Sequence, residues 1–393
     1  MSLAGHRTSA APIAPSQRID SVDALRGLAL FGVLTMNLEI MFRISIFQWF
    51  QPFTTDQGLN WIVDGLLEVF FDLKAFAIFS LLFGVGLAIQ YERLADNSRR
   101  TVLLVRRLLA LLLFGLVHLF LIWNGDILTE YAFAGMVVLP FLFAPNWVLW
   151  LGAASSLLLY LVTPVLLPPM AFQDSAWLAS HIQAANRVYG SGDFGQILAF
   201  RIKEVSPLLP LHALVFPRTV GLFMLGILLW RLGVVRNAKR HARKLWHAAA
   251  LLITLGLALT LSTTARWFSG WPFLGGIDPF AASAATIILS LGYCSLAFAV
   301  GSAGRWLAWF EPLGRMAFTN YIVQSLLLGW IFYGYGLGLF SKIGPAEGMV
   351  FVVAIYAAQG ILSMWWLKHF RHGPLEWLWR AMMYGKRPKF RVA

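Results

Sequence analysis

Apolar residues fall into long runs along this chain, and short polar or basic segments separate the runs. A stretch of about 18 or more apolar residues can cross a bilayer as a helix. Inside lipid the backbone must satisfy its own hydrogen bonds, and a helix of this length does so. The pattern predicts an all-α, polytopic membrane helical bundle of about ten transmembrane helices. Their predicted bounds are roughly 24–44, 67–91, 103–123, 128–144, 147–167, 208–230, 246–265, 280–301, 314–340 and 347–369.

The remaining segments complete the predicted organisation. A disordered cytoplasmic tail, a transmembrane domain and a cytoplasmic interfacial segment are predicted at residues 1–20, 21–370 and 371–393. The longest loop is predicted on the outer side at 168–206, where Ser175 is expected to cap a short amphipathic helix. That helix either rests on the membrane surface or acts as a lid. Pro374 is expected to begin an interfacial helix, which a basic tail follows.

The composition supports a membrane protein and argues against a soluble domain. Of the 393 residues, 59% are hydrophobic and 12% are charged, whereas soluble domains are about 25% charged. The net charge of +13 lies mostly in short loops. With the N-terminus inside, 23 of the 31 lysines and arginines fall in inside segments, which predicts both termini in the cytoplasm. The expected partners are therefore membrane lipids and not nucleic acid.

Several other kinds of chemistry have no sequence signal. The one cysteine, Cys294, lies within an apolar run, so neither an intramolecular disulfide nor a cysteine-rich metal site is expected. The chain contains no Walker-type phosphate loop and no HExxH zinc motif. We predict no metal site. The sequence does not reveal the oligomeric state, and a homodimer is one option.

The run Arg106–Tyr131 carries the strongest candidate chemistry. It begins with two arginines and stays apolar to Ile122, with His118 as its one ionisable residue in that stretch. The eleven steps from Arg107 to His118 make almost three helical turns and span roughly 16 Å, so both side chains lie on one face. An ionisable group inside a membrane is costly and indicates a functional site. The alternative is that His118 only hydrogen-bonds to a neighbouring helix and holds packing.

The first run repeats this spacing. Arg26 and Asn37 are also eleven residues apart, and Asp23 is placed to pair with Arg26 on one helix face. If this helix lies beside the one that carries His118, the two frame a polar channel with a cationic cytoplasmic mouth. Alternatively, Arg26 extends to lipid phosphates, while Asn37 hydrogen-bonds to a neighbouring helix.

The second run adds a lysine and two glycines. Lys74 is predicted near its outer end, where it either extends outward to water or turns towards a site. Gly84 and Gly86 allow close helix approach or leave room for a ligand. Four polar residues are expected to converge in the outer half of the membrane: Asn37, Lys74, His118 and Asp126.

Six stretches in order along residues 21–385 resemble the YeiB-like family of bacterial inner-membrane proteins. They are SVDALRGLALFGVLTMNL, FSLLFGVGLA, RRLLALLLFGLVHLFLIWNGDILTEYA, FMLGILLWRLG, GRMAFTNYIVQS and GPLEWLWRAMMYG. That family is similar to the transmembrane acyltransferase superfamily, which includes the acyltransferase-3 O-acetylases and the lysosomal heparan glucosaminide N-acetyltransferase. The Arg107–His118 spacing matches the acyltransferase-3 pattern. The Asp-x-x-Arg-Gly sequence followed by Asn matches the glucosaminide enzyme.

The resemblance implies an acyltransferase in the bacterial inner membrane. It would move an acetyl or other acyl group from cytoplasmic acyl-CoA to a small-molecule or glycan acceptor at the outer face. The residues implied in binding acyl-CoA are Arg26, Arg106 and Arg107. His118 would act as general base or transiently accept the acyl group. Asp126 or Lys74 would orient His118, and Asn37 would donate to the developing oxyanion.

Two other classes of function stay open at this stage. A transporter or permease for a small metabolite or lipid also uses many helices and buried polar groups, although no inverted repeat is visible. A membrane scaffold or sensor predicts that His118, Arg107 and Asn37 tolerate apolar replacement. Solute flux into sealed proteoliposomes without acyl-CoA would favour the transporter over the enzyme.

Overall fold

The computed structural model of the protein describes residues 19–49, 58–166, 174–263 and 278–392. The regular secondary structure in these ranges is helical, and an isolated bridge pairs Phe370 with Arg391. The longer helices are α1 Asp20–Asn37, α2 Leu59–Phe70, α3 Lys74–Arg93, α4 Arg100–Val117, α5 Leu128–Val138, α6 Asn146–Leu166, α7 Ser175–Ser191, α8 Phe194–Arg231, α9 Ala238–Thr263, α10 Asp278–Ala303, α11 Ala317–Phe332, α12 Pro345–His369 and α13 Pro374–Tyr384. Residues 1–18 of the predicted tail lie outside the described residues.

Several helices extend into short turns of other helical types. The chain forms π-helical turns at Leu38–Phe42 and His118–Ile122, and 3₁₀ turns at Leu139–Phe143 and Ala308–Phe310. Two short α-helical segments are Ile46–Trp49 and Glu311–Arg315. Each π-helical turn directly continues a long apolar helix, α1 or α4. The transmembrane span that the sequence predicts therefore extends through the turn.

Seven helices of the described chain are long and apolar enough to cross a membrane: α1 and α4 with their π-helical extensions, α6, α8, α9, α10 and α12. Two shorter apolar helices are α5 with its 3₁₀ extension and α11. The protein is therefore an all-helical membrane protein, as predicted, while the count of ten spans is not confirmed. The predicted helix at Pro374 is present as α13.

Two predicted spans are broken in the structure. The segment 67–91 divides between α2 and α3, because the chain turns at Leu73, whose φ of 49° lies in the left-handed region. The segment 314–340 begins at the end of the short helix Glu311–Arg315 and contains the shorter helix α11, after which residues 333–344 form turns. Both breaks occur inside apolar runs, so hydropathy alone does not reveal them.

The amphipathic helix predicted within the loop 168–206 is present as α7, and residues 168–173 of that loop lie outside the described residues. The rest of the loop prediction is wrong, because α8 begins at Phe194 and continues for 38 residues to Arg231. A capping box between Asp193 and Gln196 starts α8. The helix then passes through three prolines, which membrane helices tolerate because neighbouring groups satisfy the freed backbone carbonyls. Ser175 is the first helical residue of α7 and does not cap it.

Helix α1 lies at the centre of the bundle. It packs against α3, α10, α11, α12 and the segment Glu311–Arg315. Gly27 allows the 3₁₀ turn Ala308–Phe310, which precedes that segment, to approach, because a Cβ at this position would overlap the backbone carbonyl of Phe310. The position of α1 places its polar residues in the interior, where the sequence predicted a channel.

Helices α3 and α8 cross closely at two glycines. A Cβ on Gly84 would overlap the carbonyl oxygen of Phe223, and a Cβ on Gly226 would overlap that of Leu81. Gly86 differs, because its nearest neighbours are the ends of two arginine side chains at 3.5 and 3.8 Å. The sequence analysis left open whether these glycines allow close helix packing or leave room for a ligand. Gly84 allows close packing of α3 on α8, whereas Gly86 lies at the cavity wall.

We expect the substitution Gly84→Ala to destabilise the protein by about 1–3 kcal/mol, since the added methyl group overpacks a backbone contact. Gly86→Ala is the matched control, because it adds the same methyl group to the same helix next to flexible side-chain ends. Thermal unfolding in detergent checks the pair. Equal midpoints for the two variants would contradict the assignment of Gly84 to helix packing.

Candidate functional site

His118 lies where α4 changes into a π-helical turn. The backbone N–H of Trp123 donates to the carbonyl of His118 at 2.6 Å and closes this turn. The other π-helical turn directly follows Asn37. The two turns meet, since the ring of Phe42 stacks on Trp123 with centroids 4.7 Å apart. Such turns often mark functional sites, because they rotate the side chains that follow out of the regular helical register.

The imidazole of His118 bridges a carboxylate and a hydroxyl. Its Nδ1 lies 2.8 Å from Oδ1 of Asp126, and its Nε2 lies 2.9 Å from Oγ of Ser325. Asp126 also accepts from the backbone N–H groups of Leu128 and Thr129, at 3.1 and 2.6 Å. A carboxylate held by two amides is an acceptor, so it receives the Nδ1–H of His118. Nε2 then remains free to accept a proton.

Ser325 comes from α11, far from His118 along the chain. Its Oγ also lies 3.3 Å from the carbonyl of Tyr321, one turn earlier, whose ring packs 5.1 Å from that of His118. Side-chain amides fasten α11 to α12: Gln324 donates to Gln359 at 2.7 Å and Asn320 donates to Ser363 at 3.0 Å. Such bonds between helices stabilise association in a membrane, and here they fix the side of α11 that faces His118.

A cavity of about 360 Å³ runs through the bundle beside this group. The wall at one end includes Ile127, Leu128, Tyr131 and Tyr321. The cationic side chains that line the cavity are Arg26, Arg93, Arg107, Arg315, Arg371 and Arg380. Between them the wall is largely apolar, with Leu30, Val33, Phe79, Leu82, Phe83 and Leu111. Cavities of this size and lining are typical of small-molecule sites.

At the arginine end of the cavity, a glycine faces two guanidinium groups. Arg26 and Arg107 both approach Gly86, which contributes no side chain to the space between them. Arg26 is paired with Asp23 at 3.0 Å, whereas Nε of Arg107 has no hydrogen-bond partner among the described residues. The guanidinium of Arg107 lies 4.7 Å from the ring of Trp379, which holds the side chain towards the cavity.

Helix α13 forms part of the cavity wall. Glu376 accepts from the backbone N–H of Thr319 at 3.0 Å and from its hydroxyl at 2.6 Å. Burial raises the pKa of the Glu376 carboxyl above its ordinary value. Trp379 donates to the carbonyl of Arg107 at 2.9 Å, and Tyr384 accepts from the side chain of Gln90 at 2.8 Å. The predicted interfacial helix is therefore joined to three helices of the bundle.

The structure brings together some of the predicted site residues. His118 and Asp126 are in direct contact, as the prediction that Asp126 orients His118 requires. Arg26 and Arg107 line one cavity, so the two helices with the repeated spacing do frame one space. Arg106 does not reach that space, because its guanidinium donates to the carbonyl of Met382 at 3.1 Å.

Lys74 and Asn37 do not join His118. The ammonium group of Lys74 donates to the carbonyl of Glu68 at 2.7 Å, and its backbone carbonyl accepts from Ser290 of α10. The break at Leu73 directs the lysine to this partner, so the expected convergence of four residues is wrong for Lys74. Asn37 is buried at the end of α1 but makes no hydrogen bond to His118 or Asp126.

Sequence reasoning missed Ser325 and Tyr321. Both lie in the stretch GRMAFTNYIVQS, one of those that carry the family resemblance. The available signal was the polar spacing in an apolar run, since Asn320 and Gln324, like Tyr321 and Ser325, are four residues apart. That spacing predicts a polar face on α11 but not which helix meets it.

A second buried polar cluster lies next to the segment that follows His118. Glu204 of α8 accepts from Asn124 at 2.9 Å and from Tyr189, and it lies 2.7 Å from Nε2 of His181. The guanidinium of Arg201 donates to the carbonyl of Ile122. These bonds join α7 and α8 to the residues between His118 and Asp126. Among the described residues, no group of three His, Cys, Asp or Glu side chains is placed to hold a metal ion.

Together, the fold and the site define a polytopic helical membrane protein with a buried His–Asp–Ser group beside an arginine-lined cavity. The chain is 34% identical to the uncharacterized protein YxaH of Bacillus subtilis strain 168, over 96% of this chain and 97% of that protein. It therefore belongs to the YeiB-like family of membrane proteins.

Other comparisons agree with this family. The model of the DUF418 family, described as a protein of unknown function, matches residues 229–386. The uncharacterized protein YeiB of Escherichia coli K12 is 28% identical, over 93% of this chain and 96% of its own. An uncharacterized 39.9 kDa protein from the amylase 3′ region of Bacillus acidopullulyticus is 28% identical, over 96% of each chain. No solved structure matches the chain.

Proposed function

We propose that the protein is an acyl-CoA-dependent membrane acyltransferase. It transfers an acetyl or other acyl group from cytoplasmic acyl-CoA to a small-molecule or glycan acceptor at the outer face. One observation carries the proposal: one cavity is lined both by arginines and by Tyr321, whose ring packs on His118. In this arrangement a charged cofactor is bound at one position and its reactive group is delivered to a base at another.

The arginine end suits the phosphates of a CoA molecule. Guanidinium groups bind phosphate and pyrophosphate with paired, charge-assisted hydrogen bonds. Arg107 is the best placed of them, because its Nε has no partner and its guanidinium is held by Trp379 at the wall. Arg26 lies across Gly86 from it and contributes the second cation.

The distance along α4 fits the extended arm of such a cofactor. Eleven helical steps separate Arg107 from His118, or roughly 16 Å. A pantetheine arm of that order would run along the apolar part of the cavity and place its thioester at the wall formed by Tyr321 and Leu128. The side chains along this part of the cavity wall are apolar, which disfavours a second charged group there.

His118 supplies the base that acyl transfer requires. Asp126 receives the Nδ1–H and so keeps Nε2 as a proton acceptor, which is the arrangement that general bases use. The spacing of Arg107 and His118 also matches the acyltransferase-3 pattern, which supports the same role for this histidine. Asn37 stays a less supported oxyanion donor, because no contact joins it to His118 or Asp126.

We place the arginine end at the cytoplasmic face of a bacterial inner membrane. Arginines cluster around the connection between α3 and α4, at Arg93, Arg99 and Arg100, and the segment after α12 is rich in lysine and arginine; such segments stay in the cytoplasm. Both termini would then be cytoplasmic. Acyl-CoA is made in the cytoplasm, so this orientation presents the mouth of the cavity to the donor.

Binding of acetyl-CoA to the detergent-solubilised full-length protein tests the proposal. We expect Arg107→Ala to weaken binding by about 10- to 100-fold, the loss expected for one charge-assisted contact of about 1.5–3 kcal/mol. Arg106→Ala is the matched control, because the neighbouring arginine contacts Met382 outside the cavity. Isothermal titration with acetyl-CoA, and with CoA as comparator, measures both variants. A folded wild-type protein that binds neither compound would contradict the proposed function.

A further inference from the structure

We propose that Ser325 carries the acyl group between donor and acceptor, as an ester on its Oγ. This inference rests on the proposed acyl-CoA-dependent function and names the residue to which the acyl group is first attached. It assigns a covalent role to a residue of α11 that lies outside the Arg-to-His pattern of the sequence. The protein would then release CoA before the acceptor reacts.

The contacts of Ser325 are those of an activated nucleophile. Its Oγ lies 2.9 Å from Nε2 of His118, whose Nδ1 lies 2.8 Å from Asp126. A serine hydroxyl is a weak nucleophile by itself and is activated by a base in hydrogen-bond reach, which a third group orients. Asp126 in turn accepts from the backbone amides of Leu128 and Thr129 at the start of α5. This helix end therefore fixes the carboxylate that orients His118.

His118, Asp126 and Ser325 are all almost completely buried. The side chains of His118 and Asp126 have 0% of their area exposed, and Ser325 as a residue is 1% exposed. A hydroxyl used only to satisfy a buried imidazole would have the same contacts. Burial has a further consequence for a nucleophile, however, because an ester formed there is shielded from hydrolysis by water.

Tyr321 stands between the cavity and Ser325. It lines the cavity wall, its ring packs on His118, and it lies one helical turn before Ser325. The Tyr321 hydroxyl is buried without a hydrogen-bond partner of ordinary geometry. A thioester at the end of the cavity reaches Ser325 when this ring turns aside.

The first half of the reaction forms the ester. The Oγ of Ser325 attacks the thioester carbonyl carbon, and its proton passes to Nε2 of His118. The tetrahedral intermediate then collapses with cleavage of the carbon–sulfur bond. His118 returns the proton to the sulfur, so CoA leaves as the free thiol.

The second half transfers the acyl group to the acceptor. An acceptor hydroxyl or amine attacks the ester carbonyl, and its proton passes to Nε2 of His118. The bond between the carbonyl carbon and Oγ of Ser325 breaks, and Oγ takes the proton back from His118. The sum of the two halves converts acyl-CoA and acceptor into acylated acceptor and free CoA.

A covalent intermediate solves a geometric problem of this bundle. The donor enters from the arginine end, while the proposed acceptor lies on the opposite side of the membrane. The cavity of about 360 Å³ is used by the donor arm, which leaves little volume for both substrates at once. An ester on Ser325 retains the acyl group after CoA has left. The donor and the acceptor therefore bind one after the other, and His118 is the base in both steps.

Labelling of the purified, folded protein with radiolabelled acetyl-CoA tests the inference without an acceptor. We expect a label that survives denaturation, maps to the peptide containing Ser325, and resists neutral hydroxylamine as an oxygen ester does. Free CoA should appear in a burst equal to the labelled fraction. Ser325→Ala should lose the label completely while it retains binding of acetyl-CoA.

Two further variants separate chemistry from structure. Ser363→Ala is the matched control, because this serine is also 1% exposed and bonds to α11 through Asn320, yet it does not contact His118. It should keep the label. Ser325→Cys should acquire a thioester, so its label becomes sensitive to neutral hydroxylamine. A merely structural serine would not change the chemistry of the label.

The outcomes distinguish this inference from the proposed function. Saturable binding of acetyl-CoA by a wild-type protein that acquires no label would overturn the ester and leave the acyltransferase with direct transfer. A label that maps to His118, and that persists in Ser325→Ala, would overturn it equally. Absence of acetyl-CoA binding by the folded wild-type protein would overturn the proposed function itself, and the inference with it.

Discussion

Replacement of His118 by alanine is expected to lower acyl transfer by about 10²–10⁴-fold, the usual contribution of a positioned general base. The variant loses the group that accepts a proton from Ser325 and returns it to the sulfur. It keeps the arginine end of the cavity unchanged, since no described contact joins His118 to Arg26 or Arg107. Affinity for acetyl-CoA should therefore stay within a few-fold of wild type.

Inverted membrane vesicles from cells that overproduce the protein provide the measurement. Their cytoplasmic face points outward, so added acetyl-CoA reaches the proposed mouth, and the natural acceptor is present within the membrane or lumen. Release of free CoA, followed with a thiol reagent, reports turnover.

His212→Ala is the control, because this substitution removes another histidine–carboxylate pair, between His212 and Glu130 at 3.2 Å, without contacting His118 or Ser325. Full turnover by His118→Ala, in protein that is folded and binds acetyl-CoA, would exclude His118 as the base. Equal losses in the two histidine variants would point to a general effect on the bundle and would also count against a chemical role.

The substitution Asp126→Asn is expected to reduce turnover by about 10⁴-fold, the size of effect that the wrong histidine tautomer has in serine proteases. If the amide group of asparagine faces His118, it donates to Nδ1, and the ring proton must move to Nε2. His118 then cannot accept a proton from Ser325. If the amide group takes the place of Oδ2 instead, it opposes the backbone N–H of Thr129, and the start of α5 is weakened.

The two consequences of this change are measured separately. Loss of the contacts to α5 costs about 0.5–2 kcal/mol, which thermal unfolding detects as a modest shift. The loss of turnover should far exceed what that shift explains, and labelling of Ser325 should be lost with it. Asp193→Asn makes the same chemical change at an aspartate that caps α8, away from His118. A variant Asp126→Asn with wild-type turnover would show that Asp126 does not set the tautomer.

Part of this site could be predicted from the sequence because it lies along single helices. The face shared by Arg107 and His118 follows from the helical period, as does the pairing of Asp23 with Arg26, which the structure confirms at 3.0 Å. Asp126 lies only eight residues from His118, so the turn between them brings the two together. The membrane class follows from the apolar runs in the same direct way.

Other predictions failed because they depended on how apolar segments bend. The left-handed turn at Leu73 divides a run that hydropathy treats as continuous, and Lys74 is thereby directed to Glu68. The span predicted at 208–230 begins earlier in the structure, because α8 starts at Phe194. Arg106 and Arg107 are adjacent in sequence but point to different surroundings, since neighbours on a helix are about 100° apart.

The sequence by itself determined that this is a helical membrane protein, and it determined which face of α4 carries both an arginine and a histidine. These properties depend on residues within one segment, where period and rise leave little freedom. Only the tertiary structure decided that Ser325, 207 residues away, meets His118. It also decided that α13 closes the cavity beside Arg107. Contacts between helices depend on packing, which many alternative arrangements of equally apolar helices would satisfy in lipid.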